Sequence, residues 1–321
     1  MDTITTSAEV TQATDNWYSP VLLTRAVSNF IFTRFGQVRD IPEGNGMVIK
    51  FRRYGNLTAA TTALTEGVTP AGSALSITDV TATVLQYGDY VTLSDVLQFS
   101  TLDPLLVETA NVLGDQAGET LDTLCRNVLV AGTTIQYAST ASQVSDITAS
   151  MVVNATEVKE AVLTLRTNHA KMITEMIDPM DAFNTIPVGR AFIGIIHPKV
   201  LRDLEGDTNF IPVQKYPSQA KVMEDEVGAL GNVRFLLSEN SYEVAEGSSS
   251  AKVYKSPIFG KDFYGITRIS GQALKNIIKP LGSAGTSDAL DQRSTSGWKA
   301  TFITKILNNA FGVILVSGAT Q

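Results

Sequence analysis

The stretch Gly55–Gly72, which reads GNLTAATTALTEGVTPAG, contains a single charged residue, Glu66, and no run of large apolar side chains. The segments on either side, VIKFRRY (Val48–Tyr54) and VTATVLQYGDYVTL (Val80–Leu93), are rich in β-branched and aromatic residues and predict two strands. The sequence therefore predicts an extended β-hairpin with a long tip of small residues. Connections in compact domains usually have about 4 to 6 residues, so this tip indicates contact with a surface beyond its own globule.

The composition indicates a globular protein whose surface carries few charges. Of 321 residues, 44% are hydrophobic and 18% are charged, against roughly 25% charged in an average soluble protein. The formal net charge of -7 disfavours direct, sequence-independent binding to nucleic acid, which requires clustered Lys and Arg. A surface with so few charges favours a protein that is largely covered by partner chains.

Two further features bear on the compartment. The lone cysteine, Cys125, excludes an intrachain disulfide and is typical of a reducing environment. The segment MDTITTSAEVTQATDN lacks the features of a secretory signal, and no run reaches the ~18 apolar residues of a membrane span. We therefore expect a protein made in the cytoplasm, with no membrane partner.

The strongest helical periodicity follows Asp103, where apolar residues recur at steps of three and four. It predicts a helix from Pro104 to about Val130, about 40 Å long at 1.5 Å per residue. Gly114 and Gly118 lie inside it and allow either close approach of a strand or bending, and the sequence does not decide between these. The apolar stripe predicts a buried core face that includes Leu106, Leu113, Leu121, Leu124 and Val128.

The amino-terminal region has two parts. Residues 1 to about 18 are polar and aperiodic, and they predict an arm that does not fold on its own. A helix is predicted to follow from Pro20, with Ser19 as its cap and Gly36 as its end.

Several later segments also carry local signals. A helix is predicted over Ala155–Thr167, with Asn154 as its cap and Glu157 completing a capping box. An α/β-like region follows, in which Phe192–Ile196 is a buried strand and Pro198 begins a short helix. The last predicted strands, WKATFITKI and FGVILV, are joined by a turn at Asn308 and Asn309.

Residues able to carry out catalysis are scarce. The two histidines, His169 and His197, lie near predicted helix ends, and capping is the preferred interpretation of His197. The phosphate-binding, dinucleotide-binding and nucleophile-elbow patterns are missing, and one Cys without paired His disfavours zinc. We predict no catalytic, cofactor-binding or metal-binding residues.

The order of elements, with an arm, a long hairpin, a long helix, a mixed α/β region and final strands, resembles the Hong Kong 97-like capsid fold of tailed phages. Four stretches resemble the major capsid proteins of N-four-like podoviruses: Leu64–Asp95, Phe192–Leu204, Glu224–Asn240 and Ser287–Val316. Together they cover more than a quarter of the chain in the order of that family.

The resemblance implies an α+β fold and a division of the chain. Residues 1–45 correspond to the N-terminal arm and short helix, and residues 46–91 to the extended loop. A peripheral domain comprises residues 92–165 and 291–321, with the spine helix at 104–130. Residues 166–290 correspond to the axial domain.

The resemblance also implies a function. The chain is expected to be a structural major capsid protein that forms hexamers and pentamers of an icosahedral shell around double-stranded DNA. Scaffolding, portal and decoration proteins are further expected partners, with assembly in the bacterial cytoplasm and a final location in the virion. The extended loop would contact the adjacent subunit through Leu57, Thr61, Leu64, Glu66, Val68 and Pro70.

Two alternatives remain open at this stage. The first is the shell protein of a cellular nanocompartment with a similar fold. The second is an α/β enzyme with a divergent site near His197 and the cluster Glu224–Glu226.

Overall fold

The computed structural model of the protein describes residues 30–55, 57–100, 105–177, 188–218, 221–283 and 285–320. Within these ranges, the side chains of residues 98–100, 105, 106, 286 and 287 are not described. The predicted arm and the helix predicted from Pro20 therefore lie outside the described residues up to position 29.

The described residues form four α-helices and fifteen strands. The helices are α1 (Asp95–Ser100), α2 (Leu105–Val130), α3 (Ala155–Thr167) and α4 (Pro198–Glu205). The strands are β1 (Gln37–Val38), β2 (Val48–Tyr54), β3 (Ile77–Thr83), β4 (Leu85–Ser94), β5 (Ile135–Tyr137), β6 (Phe192–Ile196), β7 (Ile211–Pro212), β8 (Glu226–Leu230), β9 (Val233–Leu237), β10 (Tyr242–Val244), β11 (Val253–Phe259), β12 (Tyr264–Thr267), β13 (Leu274–Lys279), β14 (Arg293–Ile306) and β15 (Gly312–Ser317). Short 3-10 helices lie at Val144–Asp146, Val213–Lys215, Ser248–Ser250, Gly285–Asp288 and Asn309–Phe311.

Three sheets organise the strands. A five-stranded sheet has the order β1-β12-β14-β13, with β4 paired along β14. An eight-stranded sheet has the order β5-β15-β11-β6-β9-β8-β7, with β10 paired to β11. Strands β2 and β3 form a separate antiparallel ribbon.

The eight-stranded sheet is covered on both faces, as strand β6 demonstrates. Phe192 and Ile196 pack into the cluster formed with α3 and α4, whereas Ile193 and Ile195 pack into the cluster formed with α2. Successive side chains of a strand point to opposite faces, so an uninterrupted apolar run is what a doubly covered strand requires. Between these residues, a Cβ on Gly194 would lie 2.9 Å from the ring of Phe235, so glycine permits the close approach of β9.

Helix α2 corresponds closely to the helix predicted over Pro104–Val130. Leu113 and Leu121 are buried, Leu124 and Val128 are half-buried, and the side chain of Leu106 is not described. Beyond Leu121, the fully buried positions are Cys125 and Leu129. The buried face thus continues at steps of four rather than following the predicted three-then-four pattern.

A buried carboxylate on α2 anchors the start of the described chain. Asp122 Oδ1 accepts hydrogen bonds from the backbone N–H groups of Ile31, at 3.0 Å, and Phe32, at 2.8 Å. Asn240 Nδ2 donates to its other oxygen at 3.4 Å. Burial raises the pKa of Asp122 from the ordinary 3.8 to about 6, although these hydrogen bonds oppose the rise.

The hydrogen bonds to Asp122 also explain why the helix predicted from Pro20 does not extend to Gly36. The helix predicted to reach Gly36 is replaced by turns over residues 31–36. The N–H groups of Ile31 and Phe32 donate to Asp122 instead of to helical carbonyls, and the carbonyl of Phe32 accepts from Tyr264 Oη at 2.5 Å. Long-range contacts therefore override the local helical signal.

A second correction concerns the strand predicted over Val80–Leu93, which is two strands. Strand β3 ends at Thr83 and pairs with β2, whereas β4 begins at Leu85 and pairs with β14 over ten positions. Between them Val84 is fully buried, and its N–H donates to the carbonyl of Met47 at 2.8 Å. The interval 85–91, predicted as part of the extended loop, thus belongs to the five-stranded sheet.

The carboxyl-terminal strands also pair differently from their order in sequence. β14 lies in the five-stranded sheet and β15 in the eight-stranded sheet, so the Asn308–Asn309 junction transfers the chain between sheets. β12 and β13, from the predicted axial range 166–290, pair with β14. The five-stranded sheet therefore combines strands from the predicted axial range and the predicted peripheral range, because these strands pair with partners distant in sequence.

The caps at two helices confirm two predictions and correct a third. Asn154 Oδ1 accepts from the N–H groups of Thr156 and Glu157, as predicted. The Glu157 carboxylate does not complete the expected capping box but accepts from the N–H of Ser139 at 2.8 Å. His197 Nδ1 accepts from the N–H of Lys199 at 3.1 Å, which confirms the predicted cap of α4.

Replacing Leu121 with Asp tests the buried face of α2. Leu121 is 5% exposed, so an unpaired carboxylate there is expected to destabilise the fold by about 3 kcal/mol or more and to give insoluble protein. The control is Val112→Asp on the same helix, because Val112 is 65% exposed. Soluble yield, and thermal melting followed by circular dichroism, are measured for the two variants. If Leu121→Asp and Val112→Asp behave equally, Leu121 does not lie on a buried face of α2.

The raised pKa of Asp122 predicts a pH dependence. Since the folded-state pKa of about 6 exceeds the ordinary 3.8, this group's contribution to stability is fully present below pH 3.8 and is lost as pH rises through 6. Asp122→Asn keeps an acceptor but removes the titration. The free energy of unfolding of wild type relative to Asp122→Asn should fall by on the order of 2 kcal/mol between pH 4.5 and 7.5 in urea titrations. A difference in unfolding free energy that does not change with pH would contradict the raised pKa of Asp122.

Candidate assembly surface

The β2–β3 ribbon is regular along its whole length. Seven residue pairs run from Val48 opposite Thr83 to Tyr54 opposite Ile77. Arg52 Nε donates to Asp79 Oδ1 at 3.0 Å across the strands, and this hydrogen bond lowers the pKa of Asp79. Both side chains are largely exposed, so the pair adds little stability and mainly favours this register.

The root of the ribbon is anchored in the body of the protein. The ring of Phe51 is 9% exposed and lies over the backbone of Gly265 in β12, where a Cβ would come within 2.9 Å of it. Ala82 and Val84 are buried nearby. The ribbon therefore projects from the five-stranded sheet on an apolar base.

The loop beyond the ribbon covers residues 55–76. Its entry is closed by the N–H of Gly55, which donates to the carbonyl of Ser76 at 2.9 Å. At the tip, the N–H of Val68 donates to Thr65 across a turn in which Gly67 has φ +76°, a conformation that favours glycine. All residues from 57 to 76 are exposed.

Large apolar side chains are among those exposed. Leu64 is 77% exposed and Val68 is 63% exposed, on either side of Glu66. Leu57 and Leu75, at the two ends of the loop, are each 56% exposed. The sequence-predicted contact residues all lie on this exposed loop: Leu57, Thr61, Leu64, Glu66, Val68 and Pro70.

The residues of the enzyme alternative are not brought together. His197 uses Nδ1 as a cap, and its Nε2 lies 3.7 Å from Glu243. Burial lowers the pKa of His197, which favours the neutral imidazole that accepts the capping bond. Glu224 is 81% exposed and pairs with Arg34 at 3.3 Å.

Glu226, the other end of that acidic cluster, has a structural environment. Its buried carboxylate accepts from Arg234 Nε at 2.6 Å and from Tyr216 Oη at 2.9 Å. It also accepts from the N–H of Met223 at 3.0 Å, so its oxygens are fully used in holding β8, β9 and the preceding turn together. The contacts of Glu226 and His197 have no residue in common.

Over the ranges that the structure describes, no group of three or more His, Cys, Asp or Glu side chains could hold a metal ion. Across the same ranges, no helix is both long enough and apolar enough to cross a membrane.

Comparison with known proteins identifies the architecture. The sequence matches the model of the phage capsid protein family over residues 77–244, which is more than half of the chain. A search of curated protein sequences gives no match.

Solved structures show the same fold at low identity. The capsid of Ralstonia phage GP4 has a TM-score of 0.68 and 12% identity, covering 88% of this chain and 87% of that one. The capsid of cyanophage Pam1 has a TM-score of 0.62 and 15% identity, covering 94% and 93%. A virus-like particle from Pyrococcus furiosus has a TM-score of 0.51 and 13% identity, covering 92% and 96%. The predicted Hong Kong 97-like α+β fold is confirmed.

Hydrogen exchange on isolated subunits tests the exposed loop. Between described residues 57–76, the N–H of Val68 is the one that donates to a backbone carbonyl. We expect amides of this range to exchange at least about a hundredfold faster than those of β14, because opening a core strand requires far more free energy. Exchange measured by mass spectrometry on unassembled protein gives the ratio. Comparable protection of loop and β14 would mean that the loop packs against its own chain.

Proposed function

The chain belongs to the phage capsid protein family, and on that premise we propose that its extended loop joins adjacent subunits of the shell. The protein is a shell-forming capsid protein of the virion, a structural protein and not an enzyme. The family match also favours a virus shell over a cellular compartment. In the proposed shell, the extended loop is the contact between one subunit and the next.

The observation that carries the proposal is the exposed apolar surface of the loop. Among the described residues, Leu64 and Val68 remain 77% and 63% exposed, although burying such a side chain fully contributes ~1.5–3 kcal/mol. The remaining loop residues are mostly Thr, Ala and Gly, which permit close approach of another backbone. A neighbouring subunit is the surface available at every position of a shell.

The charge distribution supports the same contact. Glu66 is the only charged residue between Gly55 and Gly72, so covering the loop removes few charges from water. Each contact is modest, but a closed shell links many of them, and the assembly is more stable than any one pair.

The domains of the family can be assigned to the observed sheets. We take the β2–β3 ribbon with its loop as the extended loop, and α2 with the five-stranded sheet as the peripheral domain. The eight-stranded sheet with α3 and α4 then forms the axial domain. Each proposed domain is thus a set of strands that pair with each other, rather than a continuous range of residues.

The proposed assembly is an icosahedral shell of hexamers and pentamers that encloses double-stranded DNA. Portal, scaffolding and decoration proteins are its proposed partners, and the host cytoplasm is the proposed site of assembly. The net charge of -7 supports a shell that confines DNA without sequence-specific binding.

Replacing residues Leu57–Val68 with a short Gly/Ser linker tests the role of the loop. We expect a folded subunit by circular dichroism, because the replaced residues are all exposed. Shells in electron micrographs should be absent, or at least tenfold fewer, because the contact between subunits is lost. Normal shells from this variant would refute the proposal.

A milder pair of variants separates the loop surface from general surface hydrophobicity. Leu64→Ser removes an apolar group that is 77% exposed on the loop, and Leu163→Ser removes one that is 65% exposed on α3. Leu64→Ser should raise the protein concentration needed for assembly by about tenfold, whereas Leu163→Ser should leave it unchanged. Light scattering during assembly measures the threshold.

A further inference from the structure

The chain enters the ribbon through a short turn segment, Pro42–Met47, which reads PEGNGM. Every residue of this segment is exposed, and it lies between the bridge that Ile41 makes with Ile269 and the start of β2. Its pair Asn45–Gly46 is the only place in the sequence where glycine follows asparagine. The segment thus places a carboxamide beside an uncrowded backbone nitrogen at the root of the ribbon.

Neither of these two groups is held in place. The backbone N–H of Asn45 donates to the carbonyl of Pro42 at 3.3 Å, but among the described residues the side-chain amide of Asn45 and the N–H of Gly46 make no hydrogen bond. Gly44 and Gly46 have φ of +85° and +83°, and a Cβ added to either would meet no atom within 4 Å. The Asn45 carboxamide is therefore free to turn toward the nitrogen of Gly46.

From this arrangement we propose that Asn45–Gly46 is a site at which the subunit modifies its own backbone. The nitrogen of Gly46 attacks Cγ of Asn45, so that the N–Cγ bond forms and the Cγ–Nδ2 bond breaks. Ammonia leaves with the proton of the Gly46 N–H, and a cyclic succinimide remains. One water molecule then opens either carbonyl of the ring and gives aspartate or isoaspartate. Water is the only co-reactant, and nothing is oxidised or reduced.

Glycine at position 46 makes this attack accessible, because it has no side chain to crowd the nitrogen. Asn127 provides the contrast within the same chain, since it is also exposed. It is followed by Val128 inside α2, where a β-branched side chain and helical hydrogen bonding both restrain the nitrogen. The side chain of Asn127 also accepts hydrogen bonds from Arg126. Asn45 should therefore react much faster than Asn127.

Isoaspartate would change the path of the chain between two anchored points. On one side, Ile41 is 5% exposed, its N–H donates to Arg268, and its carbonyl accepts from Ser270. On the other side, the carbonyl of Met47 accepts from the N–H of Val84 at 2.8 Å. Isoaspartate routes the main chain through its Cβ, which adds one bond of about 1.5 Å, and leaves a free carboxylate. The added length displaces the entry to β2.

The modification gives competence for assembly a limited lifetime. Because ring closure requires no partner, the modified fraction grows with the age of a subunit. A subunit with a displaced ribbon presents its loop in the wrong place to its neighbour. This consequence rests on the proposed role of the extended loop, whereas the modification itself does not.

Ageing of the purified full-length protein in mildly alkaline buffer at physiological temperature tests the modification. Digestion at acidic pH followed by mass spectrometry locates the product, and an isoaspartate methyltransferase labels it. Isoaspartate should accumulate at Asn45 at least about tenfold faster than at Asn127, which corresponds to a barrier lower by about 1.4 kcal/mol. Asn45→Gln closes only a larger, less favourable ring and should abolish the signal. Equal rates at Asn45 and Asn127 would overturn the proposal.

Light scattering during assembly tests the consequence. Aged wild type should need about threefold more protein to assemble than fresh wild type, whereas aged Asn45→Gln should match its fresh sample. Fresh Asn45→Asp carries the new charge without the added bond and should assemble like fresh wild type. An equal loss in fresh Asn45→Asp would overturn the role of the changed chain path.

The linker variant that replaces Leu57–Val68 separates this inference from the proposed function. Normal shells from the linker variant would refute the role of the loop and leave the modification of Asn45 intact. If the linker variant fails to assemble, but isoaspartate at Asn45 leaves the assembly threshold unchanged, the limited lifetime is overturned.

Discussion

The packing of α2 between the two large sheets is the interaction on which the rest of the structure depends. Leu121, Cys125 and Leu129 lie in one cluster with Ile193 and Ile195 of β6 and with Trp298 and Phe302 of β14. The helix thus gives the two sheets a shared core, and its buried residue Asp122 holds the start of the described chain. Loss of this face would remove the core that both sheets share and the anchor of Ile31 and Phe32.

The β2–β3 ribbon has the opposite character, because the loop at its far end, residues 57–76, is exposed throughout among the residues that the structure describes. Phe51 and Val84 anchor its root, but the residues beyond Tyr54 are exposed. A single subunit therefore has a stable core and an unfinished periphery. Such a division is what a shell protein requires, since the subunit must fold before it meets its neighbours.

Sequence patterns predicted the features that are set locally. The extent of α2, the caps at Asn154 and His197, the buried run of β6 and the exposed tip around Glu66 all follow from residues close together in the chain. The break at Val84 was missed because both flanking segments have equal strand propensity, and only their different partners separate them.

Contacts between distant residues account for the other misses. Asp122 is 91 residues from Ile31, and no local signal connects them. The lone Val84 break also shows that a strand boundary can be set by a partner rather than by a turn residue.

That boundary has a mechanical consequence. Because a single residue separates β3 from β4, tension on the tip passes straight into a strand bonded to β14 over ten positions. Ladder bonds run perpendicular to the strands, so a pull along β4 loads them in shear and they resist together rather than parting one after another. A neighbour bound to the tip is thereby coupled to the longest strand pairing among the described residues.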